Sequence, residues 1–335
     1  MHNTTPPRLL LAPMEGLLDA HLRAALTGAF AYDWCVAEFV RVSGNLLPSR
    51  TYLRAVPELA TYSRTPAAVP VRVQLLGSDP ACMADNAARL LALRPAGIDL
   101  NFGCPAPVVN RHGGGAVLLD TPRVLHEVTR AVGDALRGCV PFTAKMRLGV
   151  RDTRPALDAA QALAAGGIET LVVHARTRDD GYRPPAHWAW VGRIADTVSV
   201  PVVANGEIWT VEDYLRCRAE SGCRDVMLGR GAVADPFLGE RIRDRLAGRV
   251  PRAPREDWSR VLPLIARYWG DVRRTLTPRH APGRIKQWLN LLRRHYPPAQ
   301  VLFDTWRTVT DPAEIDRALT GDVSALTPWA SGAAP

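Results

Sequence analysis

Eight short apolar runs, most followed by a stretch with helical spacing, recur along the first two thirds of this 335-residue chain. That alternation constrains the fold more than any other feature. Parallel strands buried on both faces read as near-continuous apolar runs, and each needs a crossover to bring the chain back to the sheet. The runs are Arg8 to Ala12, Trp34 to Val40, Val71 to Leu76, Ala96 to Leu100, Pro141 to Met146, Thr170 to Val173, Pro201 to Ala204 and Asp225 to Leu228. Eight of them predict a closed α/β barrel of the TIM (β/α)8 type. Ala81 to Leu93, Pro122 to Leu136, Thr153 to Ala165 and Thr210 to Glu220 have the spacing of covering helices, with Thr121 placed to cap the second.

The alternation stops after Gly229-Arg230-Gly231, and Pro251 and Pro254 mark a linker. Glu256 to Tyr268, Gly283 to His295, Gln300 to Thr308 and Pro312 to Leu319 then read as four helices with no strand between them. The expected organisation is a barrel over residues 1–245, a C-terminal helical-bundle domain over 246–320 and a flexible tail over 321–335.

No apolar segment reaches the roughly 20 residues that cross a bilayer, and the start lacks a basic region leading into an apolar signal core. The six cysteines have neither close paired spacing nor a histidine cluster nearby, which predicts reduced thiols, a cytoplasmic location and no metal site. The formal net charge of +9 favours an anionic partner. Its distribution is informative: only Lys145 and Lys286 are lysines, and residues 246–335 hold 14 Arg plus Lys against 8 Asp plus Glu.

In a β/α barrel the chemistry belongs to the residues at the strand ends, because those loops converge on one face. Here Met14, Glu15 and Gly16 follow the first run, Glu38 and Arg41 fall at the end of the second, and Gln74 lies in the third. Asn101 and Cys104 follow the fourth, Lys145 and Arg147 end the fifth, and His174 follows the sixth. Each has a structural reading too: Gln74 binding a carbonyl, Lys145 paired with Glu38, His174 capping a loop. Convergence of Lys145, Arg147 and Arg230 argues for an anionic ligand, since buried cations without one are penalised. Asn205-Gly206-Glu207 and Gly229-Arg230-Gly231 read as a phosphate cup after the last two strands. A sugar-phosphate isomerase could use the same cup, whereas a dinucleotide fold would need a GxGxxG turn after the first strand, which is missing. Cys104, in Asn101-Phe102-Gly103-Cys104-Pro105 and followed by His112-Gly113-Gly114-Gly115, is the candidate catalytic group, although a buried cysteine is commonly only a small hydrophobe.

Taken in order, Leu11-Ala12-Pro13-Met14-Glu15-Gly16, Val73-Gln74-Leu75, Asn101 to Pro105, Ala144-Lys145-Met146-Arg147, Val173 to Thr177, Asn205-Gly206-Glu207 and Gly229-Arg230-Gly231 resemble the tRNA-dihydrouridine synthases. Ala37 to Val42 and Ile285 to Leu289 look like the bacterial branch that modifies uridine 16 of the D-loop. The resemblance implies an FMN-binding barrel, a helical domain that recruits tRNA, and reduction of a tRNA uridine with NADPH as reductant. It assigns Pro13, Met14, Glu15, Gln74, Lys145, His174, Asn205, Gly206, Glu207, Gly229 and Arg230 to the cofactor. Arg41, Asn101 and Arg147 fall to the uridine and nearby phosphates, and Cys104 to the proton that enters at C5. Arg279, Arg284 and Lys286, with Arg273, Arg274, Arg293 and Arg294, form the expected RNA-binding face, with Trp288 and Tyr296 as candidate aromatic contacts, although a tryptophan at the place of Trp288 is more often bundle core. A monomer is expected. The competing readings are an FMN barrel acting on a small alkene or pyrimidine, and a noncatalytic RNA-binding protein.

Overall fold

The computed structural model describes residues 6–106, 109–110 and 113–320. His112 and the expected flexible tail lie outside them. The strands are β1 (Leu9–Leu11), β2 (Trp34–Val36), β3 (Val40–Arg41), β4 (Val71–Leu76), β5 (Ile98–Phe102), β6 (Phe142–Arg147), β7 (Thr170–His174), β8 (Val202–Asn205) and β9 (Asp225–Leu228). Their hydrogen-bonded order is β2-β1-β9-β8-β7-β6-β5-β4-β3, and β2 also pairs with β4, which closes the ring. All pairings are parallel. This is the predicted TIM barrel, with a helical bundle after it.

The second stave is interrupted, unlike the continuous run expected from Trp34 to Val40. Val36 pairs with Arg72, and Val40 pairs with Leu75. Four residues on one stave therefore advance against three on the other, which is a bulge at Ala37, Glu38 and Phe39. The apolar run conceals it, because hydrophobicity does not encode register. Its effect is to aim Phe39 at the cluster of Leu76, Cys104 and Val109. β5 differs in a second way: it runs through Asn101 and Phe102 instead of ending at Leu100. Asn101 stays in the sheet opposite Lys145, with its amide bound to Gln74.

The barrel interior is split. Leu10, Ala12, Trp34, Val36, Val172, Val203 and Met227 form one apolar cluster. Register places Gln74, Asp99 and Thr143 side by side on the facing strands, with Asn101 and Lys145 one step further along. At the other end of the strands Arg72 stacks on Trp34 at 4.0 Å from the ring centroid, Arg8 lies 5.1 Å from the same centroid, and Arg8 pairs with Asp225 at 2.7 Å. Burial pushes the Arg72 guanidinium down to about 10.

Among the described residues the helices are α1 (Ala20–Ala29), α2 (Ser49–Ala55), α3 (Pro80–Leu91), α4 (Pro122–Leu136), α5 (Ala156–Ala165), α6 (Trp188–Ala195) and α7 (Val211–Ser221). After them come α8 (Arg230–Ala234), α9 (Leu238–Leu246), α10 (Trp258–Thr275), α11 (Ala281–Leu292), α12 (Pro297–Trp306) and α13 (Pro312–Thr320). Asp79 caps α3 by accepting from the Cys82 N–H at 2.6 Å. Thr121 does not cap α4: its hydroxyl turns back to the Leu118 carbonyl at 3.2 Å, and Pro122 starts the helix without needing a donor.

Two compact units result. One contains the barrel strands. The other takes in His21–Ala31, Trp209–Val211 and the chain from Arg230 onward. Its core includes Ile265, Tyr268, Ile285, Trp288 and Leu292, all buried. Tyr268 meets Trp288 edge-on at 5.0 Å between centroids, and the Trp288 indole N–H donates to the Val233 carbonyl at 3.0 Å.

Candidate active site and basic helical face

Cys104 sits in the loop after β5 and is only 6% exposed. Three neighbours hold its backbone. Asn101 Oδ1 accepts from both the Gly103 and Cys104 N–H groups at 2.9 Å. On the other side, the Cys104 carbonyl accepts from Asn110 Nδ2 at 3.0 Å and from the Ala116 N–H at 3.2 Å. Gly115, at φ +67°, explains part of the glycine run: a Cβ there would lie 2.9 Å from the Cys104 carbonyl oxygen. Asn110 escaped the sequence reading because nothing in its spacing shows that the loop folds back on the cysteine.

The thiol lies 3.8 Å from the carboxylate of the exposed Glu15. Burial first, and then Glu15, push the Cys104 thiol up from its ordinary value. It is therefore a proton-bearing group at neutral pH rather than a thiolate nucleophile.

Lys145 ends a sequence of strand-end groups that the register brings together. Asn101 is opposite Lys145 across β5 and β6, while Arg147, His174 and Asn205 run across β6, β7 and β8. Lys145 is half-buried by surface area yet closely surrounded by protein. Burial, with Arg147 beside it, pushes its ammonium down to about 7, and Asp99 opposes the shift. No hydrogen bond or ion pair satisfies it among the described residues, and the suggested pairing with Glu38 is not formed. An anionic group is what such a cation lacks.

Arg147, expected near the uridine, also has partners within the protein. It is 1% exposed and donates from Nε to the Gly103 carbonyl at 2.9 Å and from Nη1 to the carbonyls of Thr177 and Gly181 at 2.8 and 3.0 Å. Its guanidinium carbon lies 5.4 Å from the ring centroid of the exposed Tyr182, a residue the sequence reading passed over. Arg147 thus braces the cysteine loop against the loop after β7. Gln74 is fully buried, bound to Asn101 and Asp99 rather than to a carbonyl.

At the end of β7 and β8 the backbone approaches closely. Gly206 has φ +117°, and a Cβ there would sit 2.7 Å from the His174 ring. The Trp188 indole donates to the Gly206 carbonyl at 2.9 Å, and Asn205 Nδ2 donates to the Met227 carbonyl at 2.8 Å. The Glu207 carboxylate pairs with the fully buried Arg176. Gly229 has open space, its nearest neighbour for a Cβ being Ala12 at 4.0 Å. This glycine-lined edge, with an unpartnered ammonium on the same set of strand ends, fits a phosphorylated, anionic ligand. Arg41 lines a cavity of about 270 Å³ with Ser43, Gly77, Ser78, Asp79 and Gly114.

Lys145 gives a first prediction. Its ordinary value is 10.5 and its folded value about 7, so between those pH values the unfolded chain binds more protons. Stability of the ligand-free protein therefore rises with pH across that window, and the penalty is full below it. Lys145→Met should raise the thermal midpoint of ligand-free protein by about 2–4 °C near pH 6, with a smaller gap near pH 9. A midpoint lowered near pH 6 would contradict this electrostatic reading.

In the helical unit the expected RNA-facing residues divide. Arg273 pairs with Asp316 at 3.2 Å and Arg274 with Asp271, so both are partly neutralised. Exposed Arg279 has no ion pair among the described residues. Lys286 Nζ donates to the Arg307 carbonyl at 3.2 Å, and Arg284 Nη1 to Gln287 Oε1 at 2.7 Å. Arg294 and Arg230 both stack on Trp209, at 4.0 and 5.0 Å from its centroid, and Arg293 lies 4.3 Å from that of Phe303. The two aromatic candidates do not face outward. Trp288 is core, and Tyr296 is fully buried, with its hydroxyl donating to Asp235 at 2.6 Å.

A dihydrouridine synthase family model matches residues 10–317. The tRNA-dihydrouridine(16) synthase of Ralstonia nicotianae is 56% identical over 309 residues, covering 92% of this chain and 94% of that one. The protein of the same name from Cupriavidus necator is 53% identical, covering 96% and 98%. Among solved structures, histamine dehydrogenase from Rhizobium sp. 4-9 aligns with a TM-score of 0.54 at 13% identity, over 78% of this chain and 48% of that one. A 2-naphthoyl-CoA reductase aligns with a TM-score of 0.54 at 11% identity, over 72% and 50%. The chain thus spans about half the length of those two structures, and the likeness to them is one of barrel fold alone. The chain belongs to the dihydrouridine synthase family. It is a flavin-dependent enzyme that reduces uridine in tRNA with a nicotinamide reductant. No described helix is long and apolar enough to cross a membrane.

Proposed function

We propose that this enzyme reduces the uridine at position 16 of the tRNA D-loop to 5,6-dihydrouridine, with NADPH as the reductant. The observation that carries the position is identity above 50% with two relatives of that name, over more than nine tenths of every chain compared. Saturating the C5–C6 bond of uracil takes a hydride at C6 and a proton at C5. FMN, when bound, supplies the hydride. Cys104 supplies the proton: its S–H bond breaks, a C5–H bond forms, and a thiolate remains to be reprotonated from solvent. The raised thiol keeps the proton in place until the base arrives. Lys145 holds the negative charge of the reduced cofactor, and Gln74 addresses the pyrimidine edge.

Pro13, Met14 and Glu15 border the cofactor, while His174, Asn205, Gly206, Glu207, Gly229 and Arg230 hold its phosphate end. The close backbone at Gly206 and the open space at Gly229 support that assignment. Arg41, beside its cavity, takes a phosphate near the target base. Asn101 and Arg147 serve the base indirectly, by fixing the cysteine loop. The barrel, residues 1–245, performs the chemistry. The helical domain, residues 246–320, recruits tRNA through Arg279, Arg284 and Lys286, and the target base leaves its stack to reach the thiol. A monomer in the cytoplasm is the proposed working form. Incubation with NADPH and unmodified tRNA, followed by nuclease digestion and mass spectrometry, should place dihydrouridine at position 16; product confined to another position refutes the assignment.

A further inference from the structure

Asp99 is an acidic group in the polar half of the barrel, flanked by Gln74 and Thr143 on the neighbouring strands. It lies on β5 at 1% exposure and touches neither the thiol nor the solvent. Both carboxylate oxygens accept: Oδ2 from Gln74 Nε2 at 2.6 Å, and Oδ1 from the Thr143 hydroxyl at 2.5 Å. Gln74 Oε1 in turn accepts from Asn101 Nδ2 at 2.7 Å, and Asn101 Oδ1 accepts from the Gly103 and Cys104 N–H groups at 2.9 Å.

This chain of bonds has a single polarity. A backbone N–H can only donate, so the Asn101 oxygen must face the loop and its nitrogen must face Gln74. Gln74 must then present its oxygen to Asn101 and its nitrogen to the barrel interior. Only an acceptor can stand there. Burial pushes the Asp99 carboxyl up from its ordinary value, against the bonds from Gln74 and Thr143 and the charges of Arg72 and Lys145, and in either protonation form it keeps an oxygen that accepts from Gln74. The end of the relay inside the barrel thus fixes the orientation of two amides and, through them, the backbone of Cys104.

We infer that Asp99 is a positioning residue whose carboxylate anchors the one-way relay Asp99–Gln74–Asn101 and so holds the Cys104 loop in its reactive placement. Misplacing a reacting group by about 1 Å can lower a rate by about a hundredfold, so the loss of such an anchor is measurable. The inference rests on Cys104 being the proton donor, and the test separates the two.

Holoenzyme carrying Asp99→Leu, Asp99→Asn or Thr143→Val is compared with the parent by two readouts. One is the rate of Cys104 alkylation by iodoacetamide, followed by peptide mass spectrometry without tRNA. The other is kcat and KM for tRNA. Asp99→Leu should change the alkylation rate by about threefold or more and lower kcat about tenfold or more, with KM for tRNA within about twofold. Asp99→Asn can accept from Gln74 and donate to the Thr143 hydroxyl, so it should restore alkylation to within about twofold of the parent. Thr143→Val removes one of the two donors at nearly constant volume, and should shift alkylation in the same direction as Asp99→Leu by a smaller factor. If Asp99→Leu does not fold, the Thr143→Val and Asp99→Asn pair reads the same relay. Unchanged alkylation in both Asp99→Leu and Thr143→Val, or equal impairment of the Leu and Asn variants, overturns the inference. Altered alkylation with unchanged kcat would leave the anchor in place and remove Cys104 from the reaction.

Discussion

Cys104→Ala should keep its flavin and lose uridine reduction by about 10²- to 10⁴-fold, the usual worth of a positioned general acid. Retention of the cofactor follows from geometry, because the short hydrogen bonds that hold this loop run to the backbone of Gly103 and Cys104, while the sulfur makes only the 3.8 Å contact to Glu15. Alanine preserves them. Reduction of the flavin by NADPH should also persist, since it needs no acid at uracil C5. The measurement is single-turnover conversion of tRNA by the reduced variant, set beside the released-flavin content of the same preparation. Turnover at the parent rate would remove the thiol from the mechanism. Loss of flavin together with activity would make Cys104 a packing residue of the cluster with Leu76 and Val109.

The second large effect belongs to the helical unit. Arg241 is buried between Asp235 and Asp257, both 2.8 Å away, and Asp257 also receives Arg252 and Arg260 at 3.2 and 3.3 Å. Tyr296 closes the group through Asp235, where desolvation and the adjacent carboxylate hold its phenol far above the usual range. These residues come from α9 and α10, from the segment between them, and from the segments that precede α9 and α12. They therefore tie α9 and α10 to the segment that follows α11, the helix carrying Arg284 and Lys286. Asp257→Ala leaves the buried Arg241 cation half-paired and should destabilise the unit by about 3–5 kcal/mol. Its thermal midpoint should fall by on the order of 10 °C. A shift of less than a degree would show that the network relaxes at little cost.

The barrel was legible because its strands are buried on both faces, so burial and apolar runs coincide. β4 and β9 were read residue for residue, as was α4. The bulge at Ala37–Phe39 was not legible, since one inserted residue changes register without changing composition. Polar residues at strand ends located Gln74, Asn101, Cys104, Lys145, Arg147 and His174, for a polar group there has either a ligand or a partner. Which of the two applies depends on distances that sequence does not carry. Arg147 proved to be a brace, and Asp99 was hidden within an apolar run that ends Ile98-Asp99-Leu100. In the helical unit an arginine is equally an ion-pair partner or an RNA contact, and only packing separates Arg273 and Arg274 from Arg279. Tyr296 shows the same limit, because an aromatic residue near basic ones is also the material of a bundle core.

Catalysis comes down to one event, in which a flavin bound in this barrel gives up its electrons to one base in tRNA. Anaerobic protein reduced with a single equivalent of NADPH reports that event directly through the return of oxidised-flavin absorbance. Unmodified tRNA with uridine at position 16 should restore one equivalent of oxidised flavin for each tRNA converted, and the same tRNA carrying cytidine there should restore none. Equal reoxidation by both tRNAs, or none by either with fully reduced flavin present, would contradict it.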